Sequence, residues 1–245
     1  MSAWLALPSQ RKVPLIIAHR GASLDRPENS LSAFRLALEQ GADGLECDVQ
    51  LSADGVPIIL HDATVNRTVQ SGKGRVHSLT LAQMQQFHLI GADEPPPTLE
   101  SLFETLGNRT RYNLELKSYT WRQHDLHAQV LAIVKAFSLE KQVLVSSFFP
   151  QLLRPLRSQL ATGLIRYKAP FTLTRYLYQG AADHPWRQLV NERYMRWARQ
   201  NNLMVNVWTV DSVEEASRLA KLGVDSIITN RPGVLKSYFD ANLPG

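Results

Sequence analysis

The sequence is short of cysteine. Its single one, Cys47 among 245 residues, excludes an intramolecular disulfide and a cysteine-based zinc site. Cys47 lies between Glu46 and Asp48, so on a β-strand its side chain points away from theirs and packs in the core. Long hydrophobic runs are also missing, which indicates no stable membrane insertion. In segment 1–14 a short apolar patch precedes the basic residues, the reverse of a secretory signal. We therefore expect a reduced, cytoplasmic protein.

Blocks of one charge are missing as well. The chain has 27 basic and 22 acidic residues, a net charge of +5 and a pI near 9.4, but its basic residues are spread out. No run of lysine and arginine alternates with aromatic residues, so we expect no nucleic-acid partner. The positive excess would suit a phosphate-bearing ligand, although a mildly basic surface is the simpler explanation. Nothing in the sequence specifies an oligomeric state.

Short β-branched runs alternate with longer helical patterns along the chain. Strands are predicted at 15–19, 43–49, 111–117, 142–146, 162–167, 180–183, 203–208 and 225–229. Helices are predicted at 29–40, 98–106, 122–137, 150–159, 171–179, 187–201 and 212–221. Asn29 or Ser30 suits the N-cap of the first helix, and Gly41 and Gly223 suit left-handed C-caps. The alternation predicts an α/β fold, a (β/α)₈ TIM barrel, with 1–245 as a single domain.

The segment between residues 50 and 110 departs from this pattern. Asp54-Gly55 is a strong hairpin signal, and the turn is too short for a parallel crossover. The run 56–61 should therefore return antiparallel to 43–49 and bring Asp48 opposite Leu60 or His61. Residues 62–97 are interpreted as a small insertion over the barrel mouth, with one short helix within 79–87.

Acidic residues lie on predicted strands where a barrel would bring them together. Glu46 and Asp48 stand at i and i+2, so they share one strand face, and Glu115 and Lys117 repeat this spacing. Carboxylates that point into a barrel are costly unless compensated, and Mg²⁺ or Ca²⁺ prefers carboxylate oxygens. The alternatives are an exposed edge strand for the first pair and a local charge pair for the second.

Two histidines lie near the ends of predicted strands, where active sites of parallel barrels are found. His19 is followed by Arg20, whose planar guanidinium suits two phosphate oxygens, and His61 is followed by Asp62. A histidine titrates near neutral pH and can move a proton during turnover, although a lone one is more often structural. His184 is a weaker candidate for the mouth.

Seven motifs in order resemble the glycerophosphodiester phosphodiesterase family, of the bacterial cytosolic type, from about residue 16 to 232. They are His19-Arg20-Gly21, Pro27-Glu28-Asn29-Ser30, Glu46-x-Asp48, His61-Asp62, Glu115-Leu116-Lys117, Trp208-Thr209-Val210 and Ile227-Ile228-Thr229-Asn230-Arg231-Pro232. Each motif alone is weak, but seven in order are specific. Two departures from the family pattern are Asn230, where aspartate is frequent, and Asp211, where asparagine is usual.

The resemblance implies a barrel that hydrolyses a small-molecule glycerophosphodiester, such as glycerophosphocholine, to glycerol 3-phosphate and an alcohol. It implies one divalent cation, Mg²⁺ or Ca²⁺. The matching positions are Glu46, Asp48 and Glu115 for the metal, His19 and His61 for acid/base catalysis, and Arg20, Lys117 and Trp208 for the substrate. We expect His19 to act as the base and His61 as the acid in the first step.

Two other functions stay open from the sequence. Lysophospholipid hydrolysis would need a wider, more apolar mouth, which the aromatic residues Phe148, Phe149, Phe171, Tyr176 and Tyr178 would supply if they do not pack in the core. A non-catalytic phosphodiester-binding barrel would tolerate loss of the histidines or carboxylates, and all of these positions are filled here.

Overall fold

The computed structural model describes Trp4 and residues 13–119, 125–168 and 180–242. Within them a single sheet contains β1 (Leu15–His19), β2 (Gly44–Leu51), β3 (Pro57–Ile59), β4 (Arg111–Leu116), β5 (Val143–Ser147), β6 (Ala161–Arg166), β7 (Ala182–Pro185), β8 (Met204–Val207) and β9 (Ser226–Thr229). β1 pairs parallel with both β9 and β2, so every strand except β3 belongs to a closed parallel barrel. β3 runs antiparallel to β2 outside it.

All but one of the described α-helices lie around the outside of the barrel, and the short second one lies in the segment after β3. The helices are α1 (Leu31–Glu39), α2 (Leu81–Met84), α3 (Leu99–Leu106), α4 (Leu126–Ala136), α5 (Pro150–Leu153), α6 (Glu192–Gln200), α7 (Val213–Lys221) and α8 (Pro232–Ala241). The Ala33 amide donates to Ser30 Oγ at 3.0 Å, so Ser30 is the N-cap of α1. The arrangement confirms the predicted (β/α)₈ barrel. No helix among the described residues has both the length and the apolarity needed to span a membrane.

Three helix predictions need correction or comment. The helix predicted at 187–201 begins at Glu192, because the Asn191 side chain accepts from the Tyr194 amide and caps it there. The helix predicted at 150–159 ends at Leu153 and continues as turns. α8 was missed altogether. The helix predicted at 171–179 lies outside the described residues.

The barrel interior is apolar at one end and polar at the other. Its apolar end is filled by Trp4, Leu15, Ile17, Leu144, Ala161, Ala182, Met204 and Ile228. On β2 the alternation is strict: Leu45, Cys47 and Val49 belong to the core between the barrel and helices. Glu46 and Asp48 therefore point into the barrel, towards its carboxyl-terminal mouth.

The hairpin between β2 and β3 forms in the expected register. Gly55 has φ +81°, which a tight turn requires, and Val49 pairs with Ile59. The Leu60 amide donates to the Asp48 carbonyl at 3.0 Å, so Leu60 lies opposite Asp48 as predicted. Beyond it, α2 and a short 3₁₀ turn pack on a separate small core of Ile58, Leu60, Val65, Val69, Val76, Met84 and Leu89. The bounds 1–245 for the domain and 62–97 for the insertion stay predictions.

Candidate active site

Three carboxylates meet inside the mouth of the barrel. Glu46 and Asp48 come from β2, and Glu115 comes from β4, where it pairs in register with Asp48. One oxygen of each residue lies within 4.8 Å of the others, and all three residues are buried. Glu46 Oε1 accepts no hydrogen bond from any described residue. Burial, with repulsion from Asp48 and Glu115, raises the pKa of Glu46 well above its usual range.

Two cations compensate part of this negative charge. Lys117 Nζ lies 3.0 Å from Asp48 Oδ1 and 2.5 Å from Glu115 Oε1, and Arg20 Nε lies 3.1 Å from Asp48 Oδ2. Burial opposes ionisation of Asp48, but Lys117 and Arg20 outweigh it and hold its pKa well below the usual range. Burial raises the pKa of Glu115 to about 7, although Lys117 opposes this shift. Three carboxylates against two cations leave a buried acidic site whose oxygen donors fit a hard divalent cation.

A tight turn after β1 positions Arg20. Arg20 and Asn29 have left-handed φ values of 58° and 59°, and the backbone N–H of Asn29 donates to the Arg20 carbonyl at 3.0 Å. A Cβ on Gly21 would lie 2.7 Å from Ala33, so only glycine allows α1 to pack this closely. Asn29 Nδ2 donates to Asp48 Oδ2 at 2.8 Å. The sequence does not predict this contact, although Asn29 stands in one of the seven motifs.

His19 is held by an amide at the end of β1. His19 Nδ1 lies 2.7 Å from Asn230 Oδ1, and Asn230 Nδ2 donates to Asp211 Oδ2 at 2.8 Å. Because a carboxylate only accepts, Asp211 fixes the amide orientation, so His19 Nδ1 carries the proton. Its Nε2 lies 3.9 Å from Glu46 Oε2 and keeps its lone pair. Burial, then Arg20, lowers the pKa of His19 to about 4.

The two departures from the family pattern are therefore in contact with each other. Both residues lie behind His19, with Ser23 Oγ also donating to Asn230 Oδ1 at 3.0 Å. The negative charge lies one residue further from the imidazole than an aspartate at position 230 would put it.

His61 is held by a carboxylate at the end of the hairpin. His61 Nδ1 lies 2.7 Å from Asp62 Oδ1, and Arg67 Nε donates to Asp62 Oδ2 at 2.6 Å. Hydrogen bonding from Arg67 lowers the pKa of Asp62 to about 2. Arg67 also donates to both oxygens of Glu28, at 2.9 and 2.8 Å, and Glu28 accepts from Arg20 at 3.0 Å. Arg67 and Glu28 were missed by the sequence prediction, because nothing in their spacing shows that they meet.

All eight predicted site residues except Asp48 line one pocket at the mouth, and Asp48 is fully buried. The pocket holds about 520 Å³ of space, including its open entrance. Its lining residues are His19, Arg20, Glu46, His61, Asn113, Glu115, Lys117, Phe148, Ile165, Tyr167, His184, Trp208, Thr209 and Ile228. One wall is aromatic: the Trp208 ring packs edge-on to Tyr167 at 4.9 Å, and Tyr167 stacks on Phe148 at 5.3 Å. Phe171, Tyr176 and Tyr178 lie outside the described residues.

Comparison with known proteins places this chain in a family. The model of the glycerophosphoryl diester phosphodiesterase family matches residues 19–234. The chain belongs to that family. It is therefore a phosphoric diester hydrolase, and the resemblance found in the seven motifs is confirmed.

Individual glycerophosphodiester phosphodiesterases are similar to nearly the whole chain. The chain is 34% identical over 242 residues to a glycerophosphodiester phosphodiesterase of Caldanaerobacter subterraneus, covering 90% of this chain and 96% of the relative. It is 29% identical to one of Bacillus altitudinis, covering 89% and 94%. An Oleispira antarctica phosphodiesterase solved with the product sn-glycerol-3-phosphate has a TM-score of 0.86 at 27% identity, covering 93% of this chain and 97% of that one.

Proposed function

We propose that this protein hydrolyses glycerophosphodiesters to glycerol 3-phosphate and an alcohol, with Mg²⁺ or Ca²⁺ held by Glu46, Asp48 and Glu115. The observation that carries the proposal is one pocket that joins this buried carboxylate cluster to two histidines held in different ways. The Oleispira relative with bound sn-glycerol-3-phosphate supports the choice of product.

Arg20 and Lys117 are the groups that bind the phosphate. Both line the pocket, and each is anchored by Asp48, which leaves further N–H groups for phosphate oxygens. Burial lowers the pKa of Lys117, but Asp48 and Glu115 outweigh it and raise that pKa, so the ammonium stays charged. A bound divalent cation would add charge neutralisation at the same phosphate.

The two histidines divide the proton transfers. His19 accepts the proton of the attacking hydroxyl at Nε2, since its Nδ1–H is committed to Asn230. His61 delivers a proton from Nε2 to the departing alkoxide, since the Asp62 carboxylate at Nδ1 stabilises the imidazolium. The P–O bond to the nucleophile forms as the P–O bond to the leaving alcohol breaks. The nucleophile is either the glycerol 2-hydroxyl, which gives a cyclic phosphate that water opens, or water directly.

The test is release of glycerol 3-phosphate from glycerophosphocholine, with EDTA and after Mg²⁺ or Ca²⁺ is added back. We expect release that EDTA abolishes and the metal restores. A quenched time course that contains cyclic glycerol phosphate identifies the hydroxyl as the nucleophile. Folded protein that binds the diester but releases nothing under either metal would overturn hydrolysis in favour of a phosphodiester-binding barrel.

Lysophospholipid hydrolysis is the second candidate, and one observation favours it. Phe149 and Tyr167 follow β5 and β6 at the mouth, with 40% and 59% of their surface exposed, where an acyl chain would find apolar contact. Comparison of kcat/KM on lysophosphatidylcholine and glycerophosphocholine decides between the substrates, and we expect the smaller one to be faster. A small-molecule substrate, no nucleic-acid partner and a cytoplasmic location stay predictions.

A further inference from the structure

The proton-transfer scheme leaves one pocket histidine without a role. His184 lies on β7 with 1% of its surface exposed, and it lines the same pocket as His19 and Glu46. A Cβ on Gly163 would lie 2.4 Å from His184 Nε2, so the ring fills the space that this glycine leaves on the neighbouring strand. The ring is therefore fixed against the barrel wall.

A buried chain of hydrogen bonds sets the tautomer of this ring. Ser226 Oγ donates to Asn206 Oδ1 at 2.7 Å, and Asn206 Nδ2 lies 2.9 Å from His184 Nε2. Because an amide oxygen only accepts, this orientation makes Nδ2 the donor to His184. Nε2 is then the acceptor, and the proton of the neutral imidazole is on Nδ1. Burial lowers the pKa of His184 to about 3, in agreement with a neutral ring.

This arrangement leaves a buried donor and a buried acceptor without partners, on two residues that line the pocket. His184 Nδ1 has no hydrogen-bond partner among the described residues, and neither has Asn113 Oδ1, which is on β4 with 2% of its residue surface exposed. Buried polar atoms without partners are costly and rare in native structures, so each calls for a ligand atom or a water. Ile165 and Ile228 give the pocket apolar surface as well.

We infer that His184 and Asn113 recognise hydroxyl groups of the substrate, and so select a diester of a polyol such as glycerol. Hydroxyl groups both donate and accept, so those of a polyol donate to Asn113 Oδ1 and accept from His184 Nδ1–H. Carbon atoms of the polyol contact Ile165 and Ile228, while the charged side chains take the phosphate. The inference rests on the proposed function and deepens it, because it assigns the residues that distinguish a glycerol diester from one without hydroxyls.

The first experiment measures selectivity in the metal-loaded enzyme. The ratio of kcat/KM for glycerophosphocholine to that for bis(p-nitrophenyl) phosphate, which has no hydroxyl, is compared in wild type, His184→Phe and Asn113→Leu. We expect the ratio to fall at least about tenfold in each variant, since a tenfold change corresponds to about 1.4 kcal/mol. A ratio within about twofold of wild type in both variants means that the two atoms bind only water, and overturns the inference.

His127→Phe is the matched control. This histidine in α4 also has a buried Nδ1 without a partner among the described residues, but it does not line the pocket. Its replacement should leave the ratio and both rates unchanged. Circular dichroism at matched temperatures identifies a variant that fails to fold, and Asn113→Leu, close in size to asparagine, then provides the test.

A binding measurement separates this inference from the proposed reaction. Calorimetry gives the Kd of glycerol 3-phosphate and of inorganic phosphate for metal-loaded wild type and His184→Phe. We expect the substitution to raise the Kd of glycerol 3-phosphate by a factor at least about tenfold larger than the factor for phosphate. If wild type hydrolyses neither diester, the proposed function fails, yet this difference in binding still supports recognition of the hydroxyl. Equal weakening of both ligands overturns the recognition, whatever the activity.

Discussion

At the scale of single residues, the two histidines differ in the group behind Nδ1. His19 has the neutral amide of Asn230, and His61 has the carboxylate of Asp62. A carboxylate stabilises an imidazolium, whereas an amide fixes the tautomer without adding charge. The difference suits a base that must be neutral before attack and an acid that must start protonated.

A prediction about the leaving group follows from these roles. His61→Ala should lower kcat on glycerophosphocholine by about 10²–10⁴-fold, because the choline alkoxide needs a proton. The fall in kcat of His61→Ala on bis(p-nitrophenyl) phosphate should be at least tenfold smaller, since p-nitrophenolate leaves without being protonated. His19→Ala should lower kcat by a similar factor on both substrates, because both reactions need the base. Equal losses for the two substrates in His61→Ala would exclude His61 as the general acid.

The Asn230–Asp211 pair gives a second prediction at this scale. The double variant Asn230→Asp/Asp211→Asn keeps the net charge but moves the carboxylate onto His19 Nδ1. The imidazolium is then favoured, so the pKa of His19 rises from about 4. The acid limb of the kcat/KM–pH profile should move up by about one pH unit, with the rate at pH 8 nearly unchanged. An acid limb at the wild-type pH would show that His19 does not titrate as the base.

At the scale of elements, the Arg67 side chain fastens the insertion after β3 to the loop after β1. Arg67 makes hydrogen bonds to Asp62 and Glu28, and so connects the groups that hold His61 and Arg20. Half of the Arg67 side chain is exposed, so these ion pairs add little to global stability. Their effect should be on the alignment of the acid and the phosphate-binding arginine.

Arg67→Gln should therefore lower kcat/KM about tenfold or more, with a small change in Tm. Arg67→Lys should restore only part of the activity, because an ammonium cannot make the paired hydrogen bonds of a guanidinium. Lys73→Gln, which removes an exposed cation of the same insertion, serves as the control and should behave as wild type. A Tm loss in Arg67→Gln large enough to explain the activity would assign Arg67 a structural role instead.

At the scale of the whole molecule, the barrel buries titratable groups that link folding to pH. The pKa of His184 is lowered from 6.5 to about 3, so the unfolded chain binds a proton at pH 5 that the native state does not. The contribution of neutral His184 to the free energy of unfolding is complete above pH 6.5 and is lost as the pH falls towards 3. At pH 5 the loss is about 2 kcal/mol. The raised pKa values of Glu46 and Glu115 act in the opposite direction.

Comparison of variants isolates the histidine. The free energy of unfolding is measured in urea for metal-free wild type and His184→Phe, at pH 7 and at pH 5. Between pH 7 and pH 5, wild type should lose about 2 kcal/mol more of this free energy than the variant does. Both proteins keep the two glutamates, so the opposing contribution cancels. An identical pH dependence in the two proteins would mean that His184 is protonated in the native state.

The barrel and the membership of the family could be predicted from the sequence alone, and the roles of the site residues stay predictions. Alternating strand and helix patterns are local signals, and the i, i+2 spacing of Glu46 and Asp48 fixes their shared face wherever the strand lies. The Asp54-Gly55 turn likewise sets the hairpin register within a few residues. These features follow from nearest-neighbour geometry, whereas the family was identified from the seven ordered motifs. α8 was missed although Pro232, Leu235 and Phe239 carry the signals of a helix start and a buried face.

Contacts between residues far apart in the chain follow from the fold and could not be predicted from the sequence. His19 and Asn230 are 211 positions apart and come together because β1 pairs with β9 to close the barrel. The hydrogen bonds of Arg67 to Glu28, and the shared pocket of His184 and Asn113, depend in the same way on closure and on how the insertion folds back. Such contacts leave no periodic trace in the sequence, because each requires the three-dimensional course of the chain between the partners.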